Sequence, residues 1–174
     1  MFRVVLIPFF VFFMLSEHIA YHNYIAVAIF IVASLTDMLD GKIARKYNLV
    51  SNFGKFMDPL ADKLLVSSAM ICFVALPSNP MPAWVVIVII AREFIISGFR
   101  LVASDAGVVI AASYWGKIKT VTQMIMSILL IVNFDGYIIN IVEYVFIYAA
   151  LILTVISLVD YMVKNWSVMR DGNM

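Results

Sequence analysis

The chain has 174 residues, 64% of them hydrophobic and 13% charged, with a formal net charge of +1. Soluble domains run at about half apolar, so a mean hydropathy of +1.03 excludes an ordinary soluble fold and predicts a polytopic membrane protein forming a single domain over residues 1–174. The net charge by itself says little, nucleic acid is not an expected partner, and the lone Cys72 excludes an intrachain disulfide.

Six apolar segments follow one another along the chain. All are of helix length and no strand pattern stands out, so the expected class is all-α with six transmembrane helices in the lipid bilayer. The first segment, Phe2–Leu15, falls short of the ~20 residues that span a bilayer, and Pro8 is placed to kink it. Its basic start and apolar body resemble a signal peptide, but no small-residue cleavage site precedes His22, so it reads as a retained helix. The second segment is Tyr24–Arg45 and the third is Gly54–Leu76, joined by the polar turn Lys46–Phe53. Pro77, Pro80 and Pro82 mark the next turn. Ala83–Ala103, Tyr114–Val132 and Ile138–Val163 are the remaining segments, and the polar tail Lys164–Met174 is expected to fray.

Six alternating helices create two sets of connections. One set (Ser16–Asn23, Leu76–Pro82, Asn133–Tyr137) contains no Lys or Arg. The other holds all twelve: Arg3, Lys42, Arg45, Lys46, Lys55, Lys63, Arg92, Arg100, Lys117, Lys119, Lys164 and Arg170. The positive-inside rule puts the second set, with both termini, in the cytoplasm. Tyr21, Tyr24, Trp84, Tyr137 and Trp166 fit the aromatic belts of such a protein. His18 and His22 are four apart, a spacing that suits a metal pair, but they sit on the external side and read as interfacial residues.

Four of the eleven acidic residues fall where the second and third segments approach the cytoplasmic face. Asp37 and Asp40 lie three apart; Asp58 and Asp62 lie four apart. Each spacing places a pair on one helix face, and the hairpin sets the pairs opposite each other. Carboxylates at membrane depth are costly and as a rule functional. Structural ion pairs with Lys42, Arg45, Lys55 or Lys63 are the plain alternative, but like charges held together call for cations between them. Hard divalent ions such as Mg²⁺ or Mn²⁺ prefer such oxygen ligands. A cation transporter with the carboxylates as its pathway is a further alternative, disfavoured by short, nearly uncharged external connections.

Written out, the stretch reads D-x-x-D-G-x-x-A-R, eight residues, then G-x-x-x-D-x-x-x-D, filled by Asp37, Asp40, Gly41, Ala44, Arg45, Gly54, Asp58 and Asp62. This resembles the signature of the CDP-alcohol phosphotransferases, integral membrane enzymes of phospholipid synthesis. The resemblance implies a cytoplasm-facing polar cavity in the plasma membrane, two divalent cations on Asp37, Asp40, Asp58 and Asp62, and Asp62 as general base on the acceptor hydroxyl. It assigns Asp37, Gly41, Arg45 and Gly54 to the CDP moiety, with Thr36 and Ser51 able to add hydroxyl contacts. Members of the family are homodimers, and Ser97 and Gly98 offer small-residue packing for one. Members also carry an amphipathic stretch before the first helix, so a juxtamembrane segment is expected to be missing ahead of Met1.

Arg92 lies about nine residues into an apolar run, too deep for simple anchoring, and Glu93 reads as compensating a charge locally, a structural role and not a catalytic one. With Arg100, Lys117 and Lys119 it offers a pocket for a second anionic group; snorkelling to headgroups is the plain reading, most natural for Lys119. The strings AREFIISGFR and GKIKTVTQM resemble those of the bacterial phosphatidylglycerophosphate synthases, a branch of the family that joins CDP-diacylglycerol to glycerol 3-phosphate. Inositol phosphate, serine or phosphatidylglycerol are the alternative acceptors within the family.

Overall fold

A computed structural model describes the backbone of residues 2–16, 18–46, 52–105, 107–108, 110–111, 113–134 and 136–166, and the side chains of these except residues 2, 37–46, 52–60, 62 and 105. The class is all-α: α1 (Phe2–Leu15), α2 (His22–Lys46), α3 (Asn52–Ala75), α4 (Ala83–Asp105), α5 (Tyr114–Val132) and α6 (Tyr137–Lys164), with no strand among the described residues. No helix end departs by more than two residues from the apolar run that predicts it. Pro8 lies inside α1, which stays helical on both sides of it.

Local chemistry explains several of these ends. Ser113 caps α5: its Oγ accepts the Gly116 N–H at 3.1 Å, taking up one of the donors a helix start leaves orphaned. After α4 the Val108 N–H donates to the Ala103 carbonyl at 2.7 Å and the Gly107 N–H to Ser104 at 3.1 Å. Gly107 has φ +77°. This pair of bonds with a left-handed glycine is the Schellman closure, which needs a residue without a Cβ penalty. Asn133 plays the same terminating part for α5 at φ 50°, its N–H held by the Leu129 carbonyl at 3.0 Å.

The chain forms two compact units. The first comprises residues 1–80 and 127–135, hence α1, α2, α3 and the final turns of α5. In it α1 packs on α2 and α3, and α2 touches α3. Its core holds Phe10, Met14, Phe30, Leu65, Met70 and Phe73, all essentially without exposure, with the Phe10 and Phe30 rings 5.8 Å apart. The second comprises residues 81–126 and 136–174, in which α4 packs on α6. Both helices of that pair carry a buried stripe at alternating steps of four and three: Val85, Ile89, Arg92 and Ile96 on α4, and Glu143, Ile147, Ala150, Thr154, Ser157 and Tyr161 on α6. That average step of 3.5 is the repeat of helices packed along a shared seam.

Outside these stripes the helices are apolar and exposed, as at Ile152, Val155 and Val159, the pattern of a surface facing lipid. Helices α5 and α6, of 19 and 28 residues, are long and apolar enough to cross a membrane. Arg92, Glu93 and Arg100 interrupt the apolar length of α4, and α1 has only 14 residues. Tyr21, Tyr24, Trp84, Tyr137 and Trp166 are all exposed, as residues of an aromatic belt must be.

Candidate active site

The two aspartate pairs sit on continuous helix. Asp37, Asp40, Gly41 and Arg45 lie in the last three turns of α2, and Gly54, Asp58 and Asp62 in the first three of α3. These two helices touch. The side chains of Asp37, Asp40, Gly41, Arg45, Gly54, Asp58 and Asp62 lie outside the described residues, as does Ser51 entirely. Thr36, one residue before the first pair, donates from Oγ1 to the Val32 carbonyl of its own helix at 2.7 Å. That back-bond is common for helical Thr. Among the described side chains no three His, Cys, Asp or Glu groups come together around a metal-sized space.

The basic residues of α4 and α5 are described in full. Glu93 organises them. Its Oε1 accepts from Arg92 Nη1 at 3.1 Å and also pairs with the Lys119 ammonium. Lys119 is 1% exposed and Arg92 8%. A buried ammonium needs a partner, because an isolated one is too costly to keep charged away from water. Lys119 therefore does not snorkel outward, as its place near a helix end had allowed; it turns inward to Glu93. Arg92 spans the same neighbourhood: a Cβ added to Gly116 would lie 3.5 Å from its Nη2 and 3.3 Å from Ser113 Oγ. The glycine leaves room for the guanidinium. Arg92 Nε is buried and has no hydrogen-bond partner among the described residues.

The other two cations of the expected set differ from these in exposure. Lys117 is exposed, and so is Arg100. The helix explains Lys117: residues two apart on a helix point to nearly opposite sides, so Lys117 and Lys119 cannot both face α4. Arg100 and Arg92 share a neighbour that sequence reasoning passed over. Both charges act on Tyr161 of α6, a residue 3% exposed whose ring meets Phe99 edge-on at 5.7 Å. The missed signal is the four-three stripe on α6, which marks Tyr161 as inward.

A small polar cavity opens in the first unit, lined by His22, Asn23, Asn79 and Asn133. His22 Nδ1 lies 3.2 Å from the Phe13 carbonyl, and Asn79 Nδ2 donates to Leu130 at 3.4 Å. No carboxylate lines this cavity.

Among the described residues six helices and no strand form, two of the helices long and apolar enough to cross a membrane, the features of an all-α protein of membrane character. The chain belongs to the CDP-alcohol phosphatidyltransferase family, whose sequence profile it matches over residues 1–156. It is 44% identical to the CDP-diacylglycerol–glycerol-3-phosphate 3-phosphatidyltransferase of Bacillus subtilis (strain 168), over 98% of this chain and 94% of that protein. The Haemophilus influenzae protein of the same name is 39% identical over 92% of this chain and 87% of its own. A probable phosphatidylglycerophosphate synthase of Mycobacterium tuberculosis (strain H37Rv) is 37% identical over 93% and 77%.

Proposed function

We propose that this protein transfers the phosphatidyl group of CDP-diacylglycerol to glycerol 3-phosphate, releasing CMP and forming phosphatidylglycerophosphate. The observation that carries the choice of acceptor is the buried Arg92–Glu93–Lys119 cluster. The cluster sets two cations, Arg92 and Lys119, beside the Glu93 carboxylate, and a family member needs a cationic site when its acceptor brings a phosphate of its own. A planar guanidinium with buried, unpartnered donor capacity suits a phosphate oxygen. Near-full-length similarity to relatives named for this acceptor supports the same reading.

The reaction would run as a displacement at phosphorus. The acceptor hydroxyl oxygen attacks the phosphorus bearing the diacylglycerol, its bond to the pyrophosphate bridge breaks, and CMP leaves. Asp62 takes the hydroxyl proton, a role that requires hydrogen-bond reach in the bound state. Thr36, Asp37, Gly41, Arg45, Ser51 and Gly54 hold the CDP moiety, the glycines by allowing close approach. Four carboxylates on two touching helices are the donor set that hard cations prefer, so Asp37, Asp40, Asp58 and Asp62 would hold two ions, Mg²⁺ or Mn²⁺. Bound there, such ions neutralise charge on the pyrophosphate and on the oxygens at the reacting phosphorus.

In the same reading all six helices cross the plasma membrane as one domain. Both termini and the polar cavity expected at the aspartates of α2 and α3 face the cytoplasm, where water-soluble glycerol 3-phosphate is available. The protein works as a homodimer. Incubating the purified protein with labelled CDP-diacylglycerol, a divalent metal and a panel of alcohols tests the assignment. Metal-dependent CMP release is expected with glycerol 3-phosphate. Release supported instead by inositol phosphate or serine would transfer the chain to another acceptor, and no release with any alcohol would overturn the enzyme reading.

A further inference from the structure

The buried stripe of α6 carries three hydroxyls in its second half, and two of them are satisfied within the helix. Thr154 Oγ1 donates to the Ala150 carbonyl at 2.6 Å, and Ser157 Oγ donates to the Thr154 carbonyl at 3.0 Å. Tyr161 differs. Its hydroxyl stands at the far end of a rigid ring, beyond reach of its own helix carbonyls. It is buried and has no hydrogen-bond partner among the described residues. Burying a hydroxyl without a partner is unfavourable. Phenylalanine would keep the edge-on contact with Phe99 without that cost, so the hydroxyl requires an explanation.

Its surroundings supply one. Its ring meets Phe99, the residue before Arg100, and α6 packs on α4, whose buried stripe contains Arg92. Arg92 Nε is itself a buried donor with no partner among the described residues. The region thus contains a buried guanidinium and a buried phenol, each with a proton to give, and a second guanidinium on the exposed side of α4. Arginine cannot accept a hydrogen bond at all. Glu93 is the acceptor that Arg92 Nη1 and Lys119 already share; a phosphomonoester, acceptor-only with several oxygens and negative charge, is the group that would take the donors left over, Arg92 Nε and the Tyr161 hydroxyl.

We propose that Tyr161 is a specificity-determining residue for the acceptor: its hydroxyl donates a hydrogen bond to the acceptor's phosphate, alongside Arg92. This rests on the assignment of Arg92 to the acceptor phosphate made above. The ring is held by Phe99, so the hydroxyl is fixed before substrate arrives and little is lost in ordering it. It reads the phosphate and not the CDP-diacylglycerol.

The test compares Tyr161→Phe, Tyr161→His and Arg92→Ala in the full-length enzyme. Steady-state kinetics are run for both substrates, with inorganic phosphate as a competitor of the acceptor. Tyr161→Phe is expected to raise KM for glycerol 3-phosphate about tenfold, the effect of one lost hydrogen bond to a charged group. It should weaken inhibition by inorganic phosphate by the same factor and leave KM for CDP-diacylglycerol unchanged. Tyr161→His, which keeps a ring donor, should recover part of the loss. Equal rises for both substrates, or an unchanged acceptor KM, would overturn the role of Tyr161. If Arg92→Ala raises the acceptor KM and neither Tyr161 variant does, the Tyr161 proposal fails alone. If no variant raises it, the acceptor-phosphate assignment fails and takes this proposal with it. Should Tyr161→Phe not accumulate, Tyr161→His decides: an acceptor KM more than about tenfold above the parent, with unchanged phosphate inhibition, counts against the proposal.

Discussion

The Lys119 ammonium of α5 meets the Glu93 carboxylate of α4, and the lysine side chain is 1% exposed while the glutamate is 20% exposed. The pair is therefore asymmetric: Glu93 keeps some access to solvent, and Lys119 has almost none. Removing one member of a buried pair leaves the other charge uncompensated, at a cost of about 3–5 kcal/mol, whereas replacing both with groups of similar volume is often near neutral. Glu93→Gln and Lys119→Met are each expected to lower the unfolding midpoint in detergent micelles, Lys119→Met the less because Arg92 still engages Glu93. The double variant should be more stable than Glu93→Gln alone. A double variant that loses the sum of the two single effects would show that the residues act independently.

Gly116 sits where α5 begins, between the Ser113 cap and the Arg92 guanidinium. A methyl at this position falls 3.3 Å from Ser113 Oγ and 3.5 Å from Arg92 Nη2, so the flexible end of one or the other must give way. Gly116→Ala is expected to raise the KM for the phosphorylated acceptor a few-fold, because Arg92 shifts while its pairing with Glu93 survives. Gly116→Leu has no such escape and should raise it by more than tenfold, with KM for CDP-diacylglycerol unmoved. As a control, Ser113→Ala should lower stability by about 1 kcal/mol through loss of the cap. An acceptor KM that ignores side-chain size at residue 116 would mean that Arg92 is not where substrate binds.

The six helices were legible because each is an apolar run bounded by polar, Pro or Gly residues, and burial of such runs overrides finer preferences. Pro8 was the local feature expected to perturb one of them, yet α1 is helical on both sides of it. The basic cluster was legible only as a composition. Arg92, Arg100, Lys117 and Lys119 read as one set in the sequence because all are cations assigned to the cytoplasmic side of their segments. Helical phase separates them, sending Lys117 outward and Lys119 to Glu93. Glu93 reads in the sequence as compensating a charge locally, and Arg92 is that charge, but its contact with a residue 26 positions on depends on how α5 packs against α4, which no single-helix pattern encodes. The four-three stripe of α6 marks Tyr161 as inward, but that its hydroxyl is buried without a hydrogen-bond partner among the described residues depends on packing in the same way.

The aspartates supply the last prediction. Asp37 and Asp40 on α2 and Asp58 and Asp62 on α3 place four like charges on two helices that touch. Without cations among them, mutual repulsion would favour protonation or separation of the helices. Chelation with EDTA is therefore expected to abolish CMP release and to lower the unfolding midpoint together, and Mg²⁺ or Mn²⁺ should restore both. Asp58→Asn removes one ligand charge. It should reduce CMP release to background while the protein still inserts, and it should shrink the stabilisation gained on adding metal. Because that second readout does not depend on turnover, it separates a lost ion from a lost chemical step. An Asp58→Asn protein with normal turnover, or one stabilised by metal as strongly as its parent, would remove Asp58 from the metal-binding set.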